Sequence, residues 1–112
     1  MKLVAIPVVG NKLSPHFGHC EYFSIYQIED DQKIITKIDL TPPPHAPGVL
    51  PQWLKENNVN TIIAGGMGQR AKNLFAQNNI DVVVGAPSKD PQIIIEEYLN
   101  QTLVLGQNQC DH

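Results

Sequence analysis

Two imidazoles and one thiol lie close together near the start of the chain, in the segment His16-Phe17-Gly18-His19-Cys20. Thiolate sulfur and imidazole nitrogen are ligands for zinc, copper and iron–sulfur species, whereas magnesium and calcium prefer oxygen. The segment therefore predicts a site for a thiophilic metal. The alternative is that Cys20 is a small buried apolar residue and that both histidines lie on an exposed loop.

The last residues of the sequence hold a second thiol and imidazole, Cys110 and His112, separated by Asp111. A polar terminal segment can close over a site that the rest of the chain presents, although polar chain ends are often simply disordered. His45, in a proline-rich loop at 41–48, is a further candidate ligand, and its alternative is a hydrogen-bonded turn residue. The candidate metal ligands are His16, His19, Cys20, His45, Cys110 and His112.

A glycine cluster at Gly65, Gly66, Met67 and Gly68 lies between a predicted strand and a predicted helix. Bare backbone there can approach a ligand and offer amide donors at the positive end of a helix dipole. The cluster matches neither a Walker loop nor the six-residue dinucleotide fingerprint. These four residues are candidate cofactor-binding residues. The alternative is a tight turn whose glycines permit close packing.

These candidates need a scaffold, and the apolar pattern predicts one. Residues 3–9 predict a buried central strand, and residues 22–29 and 34–40 predict an antiparallel hairpin. Three apolar faces at helical spacing follow, the last of them behind the typical cap pair Asp90 and Pro91. Further strands are predicted between these helices, at 59–64 and 80–84.

This order of elements predicts the topology. A meander of three strands followed by right-handed crossovers puts the first strand between the hairpin and the parallel half. We predict an α/β, ribonuclease H-like three-layer fold, with a five-stranded mixed sheet in the order 3-2-1-4-5 and helices on both faces. Residues 1–112 are expected to form a single domain, with 106–112 as a polar tail. Ligands collect at the carboxyl ends of parallel strands, where the loop with His16 and the turn with Gly65 both fall.

Several functions are disfavoured by residue content. The first strand contains no Asp or Glu, whereas a nuclease of this layout holds two metal ions there, and no serine lies in a nucleophile elbow. The net charge of -3 gives no basic surface for nucleic acid. No run approaches the roughly 18 apolar residues that span a bilayer. We expect a cytoplasmic protein that is not an enzyme on its own and binds neither nucleic acid nor membrane.

The segments 16–20 (His-Phe-Gly-His-Cys), 64–71 and 110–112 (Cys-Asp-His) resemble the dinitrogenase iron–molybdenum cofactor biosynthesis family. This is the NifX-like domain, which also occurs at the C-terminal end of NifB-type proteins. The similarity extends over nearly the whole chain and includes a His-x-Pro-Gly segment at 45–48. The resemblance implies a ribonuclease H-like fold and a role in binding or passing on iron–sulfur or molybdenum-containing clusters. The sequence is most similar to a branch of the family found in anaerobes that do not necessarily fix nitrogen. This similarity implies a cluster-carrying ATPase, or another cluster donor or acceptor protein, as partner.

Two hypotheses of function follow. In the first, the protein is a carrier for an iron–sulfur or molybdenum-containing cluster, or another thiophilic metal. The segment 16–20 then forms the rim of the site, the Gly65–Gly68 turn supplies amide donors, and the segment 110–112 closes it. In the second, the Gly65–Gly68 turn belongs to a small-molecule or anion-binding regulatory module, and the cysteines and histidines are incidental. The sequence leaves open whether the site is filled in one chain or in a homodimer.

Overall fold

The computed structural model describes residues 2–16, 18, 20–44 and 48–106. Within them the elements are, in order, β1 (Lys2–Val9), β2 (Lys12–Leu13), β3 (Tyr22–Ile28), β4 (Ile34–Leu40), α1 (Val49–Glu56), β5 (Thr61–Ile63), α2 (Gln69–Gln77), β6 (Asp81–Val83) and α3 (Pro91–Leu99). The prediction of an α/β fold with one mixed sheet is confirmed. No helix in this described part of the chain is long and apolar enough to cross a membrane.

The long strands lie in the order β4-β3-β1-β5-β6. β1 is central, because it pairs antiparallel with β3 on one side and parallel with β5 on the other. β3 pairs antiparallel with β4, and β5 pairs parallel with β6. The carboxyl ends of β1, β5 and β6 therefore meet at one edge of the sheet, which we call the carboxyl edge.

The short strand β2 corrects the predicted count of five strands. β2 folds back on the end of β1 with Val9 opposite Lys12, so that only Gly10 and Asn11 close the hairpin. Their φ angles are 58° and 63°, as a two-residue turn of type I′ requires. Gly-Asn between two short apolar runs is a known hairpin signal. It was available in the sequence.

The helices cover both faces of the sheet. On one face, α1 and α2 bury Leu54 and Phe75 against strand residues such as Ile25 and Ile62. On the other face, α3 buries Ile94 and Ile95 in a second apolar cluster. Neighbouring strand residues alternate between the two clusters, since side chains along a strand point to opposite faces. The members of the second cluster on β1, β3 and β5 are Val4, Ile6, Val8, Tyr26, Ile28 and Ile63.

The cap of α3 was predicted correctly. The Asp90 side chain accepts a 2.8 Å hydrogen bond from the backbone N–H of Gln92, and Pro91 occupies the first helical position. A carboxylate at this position satisfies one of the N–H groups that the first turn of a helix leaves without an intrahelical partner. α1 and α2 begin differently, since Gly48 and Gly68 at their N-caps offer no side-chain hydrogen bond.

Candidate functional site

The carboxyl edge gathers the loops that carry the candidate residues. The segments 64–68 and 84–90 follow β5 and β6, which end there, and β4 also ends there because it runs antiparallel to β3. The segment 14–21 leads from β2 to β3, which begins at this edge with Tyr22 opposite Val8 of β1. The first turns of all three helices begin at the same edge, since each helix returns the chain across the sheet. Topology therefore brings the loop that contains His16 and Cys20 next to the glycine turn.

The start of this loop is firmly held. Ser14 is buried, its N–H donates to the carbonyl oxygen of Pro7 at 2.8 Å, and its Oγ donates to the carbonyl oxygen of His16 at 2.7 Å. Next to it, the carbonyl oxygen of Leu13 accepts a hydrogen bond of 2.8 Å from Ser88 Oγ. The backbone before His16 is thus fastened both to the central strand and to the loop that follows β6.

Gly65 lies directly beneath this loop. A Cβ at Gly65 would approach the Cα of Pro15 and the Cδ2 of Leu13 to 3.2 Å each, which is tighter than ordinary packing. The close-packing alternative considered for the glycine cluster therefore accounts for Gly65. Gly66 and Met67 are buried, and Met67 belongs to the apolar cluster beneath α1 and α2.

His16 and Gly65 line a cavity of about 560 Å³ at the carboxyl edge. His16 is exposed here, and the residues 85–88, Val104 and Gly106 also line the cavity. Gly106 lies here because its N–H donates a 2.7 Å hydrogen bond to the carbonyl oxygen of Gly85. The backbone at Gly106 thus lies at the rim of the same cavity. Gly85 and Gly106 are not among the candidate residues that the sequence indicated, because their contact involves backbone alone.

Cys20 lines a different and smaller cavity, of about 260 Å³. Its walls are Gly18, Cys20, Glu21, Thr41, Pro42, Pro43 and Leu50. Burial raises the pKa of the half-buried Cys20 thiol from 9.0 to about 11, although backbone hydrogen bonds at Cys20 and Val8 act in the lowering direction. At neutral pH the thiol is therefore protonated, and a metal would have to displace this proton in order to bind the sulfur.

Of the six candidate ligands, the structure describes two, His16 and Cys20, and they lie on separate cavities of the carboxyl edge. The other four, His19, His45, Cys110 and His112, lie outside the described residues. Among the residues that are described, no three His, Cys, Asp or Glu side chains come together in a way that could hold a metal ion. A closed metal site would therefore need ligands from the remaining four.

The glycine turn ends in the first turn of α2. Gly68 is the N-cap, with extended backbone at φ -72° and ψ 162°, and no side chain caps the helix. The N–H groups of Gln69, Arg70 and Ala71 have no acceptor within the helix, since the first intrahelical bond runs from Lys72 to Gly68 at 3.1 Å. This end of α2 carries the partial positive charge of the helix dipole.

A family model described as dinitrogenase iron-molybdenum cofactor matches residues 1–101. The chain belongs to this family. A curated relative, the uncharacterized protein MJ0580 of Methanocaldococcus jannaschii, is 39% identical over 83 residues, which cover 70% of each chain. Membership in the dinitrogenase iron-molybdenum cofactor family agrees with the resemblance noted at the segments 16–20 and 64–71.

Solved structures share the fold. The crystal structure of PH0822 matches with a TM-score of 0.85 and 27% identity, over 93% of this chain and 96% of that one. The apo form of the orange protein from Desulfovibrio gigas matches with a TM-score of 0.75 over 96% of this chain and 95% of that one. At 14% identity, the second likeness concerns the fold alone.

Proposed function

We propose that this protein binds an iron–sulfur or molybdenum-containing cluster, or another thiophilic metal, at the carboxyl edge and carries it between proteins. The observation that carries the proposal is the placement of Cys20 and His16 on one loop, each on a cavity of the edge where the glycine turn also lies. Membership in the dinitrogenase iron-molybdenum cofactor family supports this assignment. The domain would be a single ribonuclease H-like unit in the cytoplasm, where thiols stay reduced.

The donor set fits a thiophilic group. Cys20 offers a thiol whose raised pKa of about 11 keeps it protonated until a metal arrives. A protonated thiol is a poor nucleophile and resists oxidation, so Cys20 is protected from these reactions while no metal is bound. His16 is exposed, so a metal can reach it from the solvent side. His19 and His45 are proposed as further ligands near Cys20 because they are close to cavity residues in sequence.

The C-terminal segment can complete the site. Gly106 is at the rim of the cavity of His16, and Cys110 follows it by four residues. An extended chain spans about 3.5 Å per residue, so Cys110 can reach any point within about 14 Å of Gly106. That radius includes the cavity that Gly106 itself lines together with His16. We propose that Cys110 and His112 contribute ligands to this site.

The Gly65–Gly68 turn is proposed to act through its backbone. The uncapped start of α2 directs N–H groups toward the carboxyl edge, where they can donate hydrogen bonds to sulfides or to an anionic ligand. The same feature supports the second candidate, a small-molecule or anion-binding module that uses this turn and the 560 Å³ cavity. In the first candidate function the cysteines are ligands, whereas in the second they take no part in binding.

A carrier needs proteins that deliver and receive its cargo. From the family resemblance we propose a cluster-carrying ATPase, or another cluster donor or acceptor protein, as partner. Catalysis by this chain is not part of the proposal, since β1 (Lys2–Val9) contains no carboxylate for two-metal hydrolysis. Magnesium- or manganese-dependent cleavage of a phosphoester that a single substitution in this chain abolishes would contradict this part.

The proposal is tested by anaerobic reconstitution with iron and sulfide, or with a thiomolybdate, followed by metal analysis and absorbance. We expect Cys20→Ala to lose most of the bound metal. Thr41→Ala is the matched control, because Thr41 lines the same cavity and brings no soft donor. Thermal unfolding of each apo protein shows whether a loss of metal reflects a loss of folding.

A double-mutant cycle between Cys20 and Cys110 tests whether the loop and the C-terminal segment act as one site. Ligands of one cluster give non-additive losses, whereas independent sites give additive ones. We expect the double variant to lose little more metal than Cys20→Ala alone. If both single variants keep wild-type metal content and colour, the cysteines are not ligands, and the glycine-turn module becomes the better account.

A further inference from the structure

The outermost strand β4 exposes an apolar residue. β4 ends the strand order, and no described strand pairs with its outer side. Ile38 in the middle of β4 is 52% exposed, although it is opposite the buried Ile25 of β3. An edge strand with open N–H and C=O groups is a template for pairing with another strand.

Two interruptions limit the part of β4 that can pair. Residues 36–40 pair with β3 in regular register, from Gln27 opposite Thr36 to Phe23 opposite Leu40. At one end Ile35 is an extra residue, because Ile34 is the next partner on β4 and the register shifts there. At the other end Pro42 has no backbone N–H to donate. The regular segment 36–40 has Ile38 at its centre.

We propose that a second copy of this chain adds to β4, antiparallel and around a two-fold axis at Ile38, so that the two sheets become continuous. Along an edge strand, alternate residues direct their backbone groups outward, so a symmetric antiparallel pair must be centred on a residue and never between two. The registers centred within the segment 36–40 are therefore those on Thr36, Lys37, Ile38, Asp39 and Leu40. The proposal is independent of the metal site.

Charge selects among these registers. A pair centred on Lys37 or on Asp39 puts that charged residue opposite its own copy. A pair centred on Thr36 puts Lys37 opposite Ile35, and a pair centred on Leu40 puts Asp39 opposite Thr41. A pair centred on Ile38 puts Lys37 opposite Asp39 of the second copy, twice by symmetry, and joins the two exposed Ile38 side chains. Opposite charges directly across an antiparallel pair stabilise it, and like charges destabilise it. Only the Ile38 register puts a carboxylate opposite Lys37 in both copies.

The two charges are already arranged for this contact. Lys37 Nζ lies 3.4 Å from Asp39 Oδ1 within the strand, and both side chains are more than two-fifths exposed. Asp39 Oδ1 also accepts a 2.8 Å hydrogen bond from Ser24 Oγ, which orients the carboxylate. Lysine on an edge strand ordinarily discourages pairing. Here the neighbouring carboxylate compensates for that charge, and in the pair each ion would gain a second opposite charge.

The test is sedimentation equilibrium of the full chain over a range of concentrations. The wild type should show a reversible monomer–dimer equilibrium. Lys37→Asp and Asp39→Lys should each weaken dimerisation about tenfold or more, because each puts like charges opposite each other twice. Lys33→Asp is the matched control for the same change of charge, since Lys33 pairs with Asp31 and lies outside the segment 36–40. It should leave the equilibrium unchanged.

The double variant Lys37→Asp/Asp39→Lys decides the register. In the Ile38 register it restores opposite charges, so dimerisation should return to near the wild-type constant. Thermal unfolding of all variants shows whether each of them still folds. Lys37→Asp is the cleaner of the two single variants, because it keeps the hydrogen bond between Ser24 and Asp39. A wild type that stays monomeric at all concentrations overturns the proposal, as do single reversals without effect or a double variant that fails to recover.

Discussion

The N–H of Gly106 donates a 2.7 Å hydrogen bond to the carbonyl oxygen of Gly85. Gly85 has a φ of 88°, and a Cβ built on it would overlap the carbonyl oxygen of Gly106. Both glycines line the cavity that also contains His16 and Gly65. This backbone contact fixes the point from which the C-terminal segment departs, and it tolerates no side chain at Gly85.

We expect Gly85→Ala to lower the free energy of unfolding by about 2–4 kcal/mol, because it combines a left-handed backbone with a steric overlap. Gly10→Ala is the matched control. Gly10 has a φ of 58°, but a Cβ there meets nothing within 4 Å, so only the backbone cost of about 1–2 kcal/mol applies. Urea denaturation of both variants measures the difference. Equal losses would mean that the contact between Gly85 and Gly106 contributes nothing.

Side-chain periodicity explains why the sequence predicted the scaffold well. The alternation along 22–29 and the helical spacing of Ile94, Ile95 and Tyr98 reflect which face is buried. The burial of apolar side chains is the main driving force of folding. The cap at Asp90 was equally visible, because its chemistry is local. The hairpin of β2 was also local, and its Gly-Asn signal was overlooked.

The site could be predicted only in part, for a different reason. The packing of Gly65 against Pro15 and the bond between Gly85 and Gly106 join residues far apart in the chain and involve mostly backbone. Such contacts leave no side-chain pattern. The sequence also could not show that His16 and Cys20 line two separate cavities, because residues that are close in a loop can face different sides of it.

Tyr26 and Ser24 make a matched pair of buried hydroxyls on the α3 side of β3. Tyr26 is fully buried, and its OH has no hydrogen-bond partner among the described residues, whereas Ser24 Oγ donates to Asp39 at 2.8 Å. We expect Tyr26→Phe to leave stability unchanged or raise it by up to about 1 kcal/mol, because an unpaired buried hydroxyl is costly.

Ser24→Ala, in contrast, should cost about 1.5–3 kcal/mol, since it removes a hydrogen bond to a charged acceptor. Chemical denaturation at neutral pH compares the two variants, with near-ultraviolet circular dichroism as the check that packing is retained. A loss of stability in Tyr26→Phe as large as that in Ser24→Ala would show that the tyrosine hydroxyl is paired in solution.

The Cys20 thiol gives a prediction that depends on pH. Its pKa is raised from 9.0 to about 11, chiefly by burial, so the fold favours the neutral thiol. The stabilisation from this preference is fully present below pH 9 and is lost as the pH rises from 9 through 11. Reactivity should follow the same titration, because the thiolate is the nucleophile.

In a Cys110→Ser variant, Cys20 is the single thiol, and its alkylation by iodoacetamide can be followed by mass spectrometry. At pH 8 the native thiol should react about 100 times more slowly than the same chain unfolded in guanidinium, since the pKa values differ by about two. The native rate should rise about tenfold per pH unit and level off near pH 11. Between about pH 7.5 and 9, where histidines are already neutral, metal uptake by this variant should gain about tenfold in apparent affinity per pH unit if one Cys20 proton is released, and it should change little if Cys20 is not a ligand. A native alkylation rate that levels off near pH 9 would mean that the thiol is solvated, and the protected, proton-coupled ligand proposed for Cys20 would have to be abandoned.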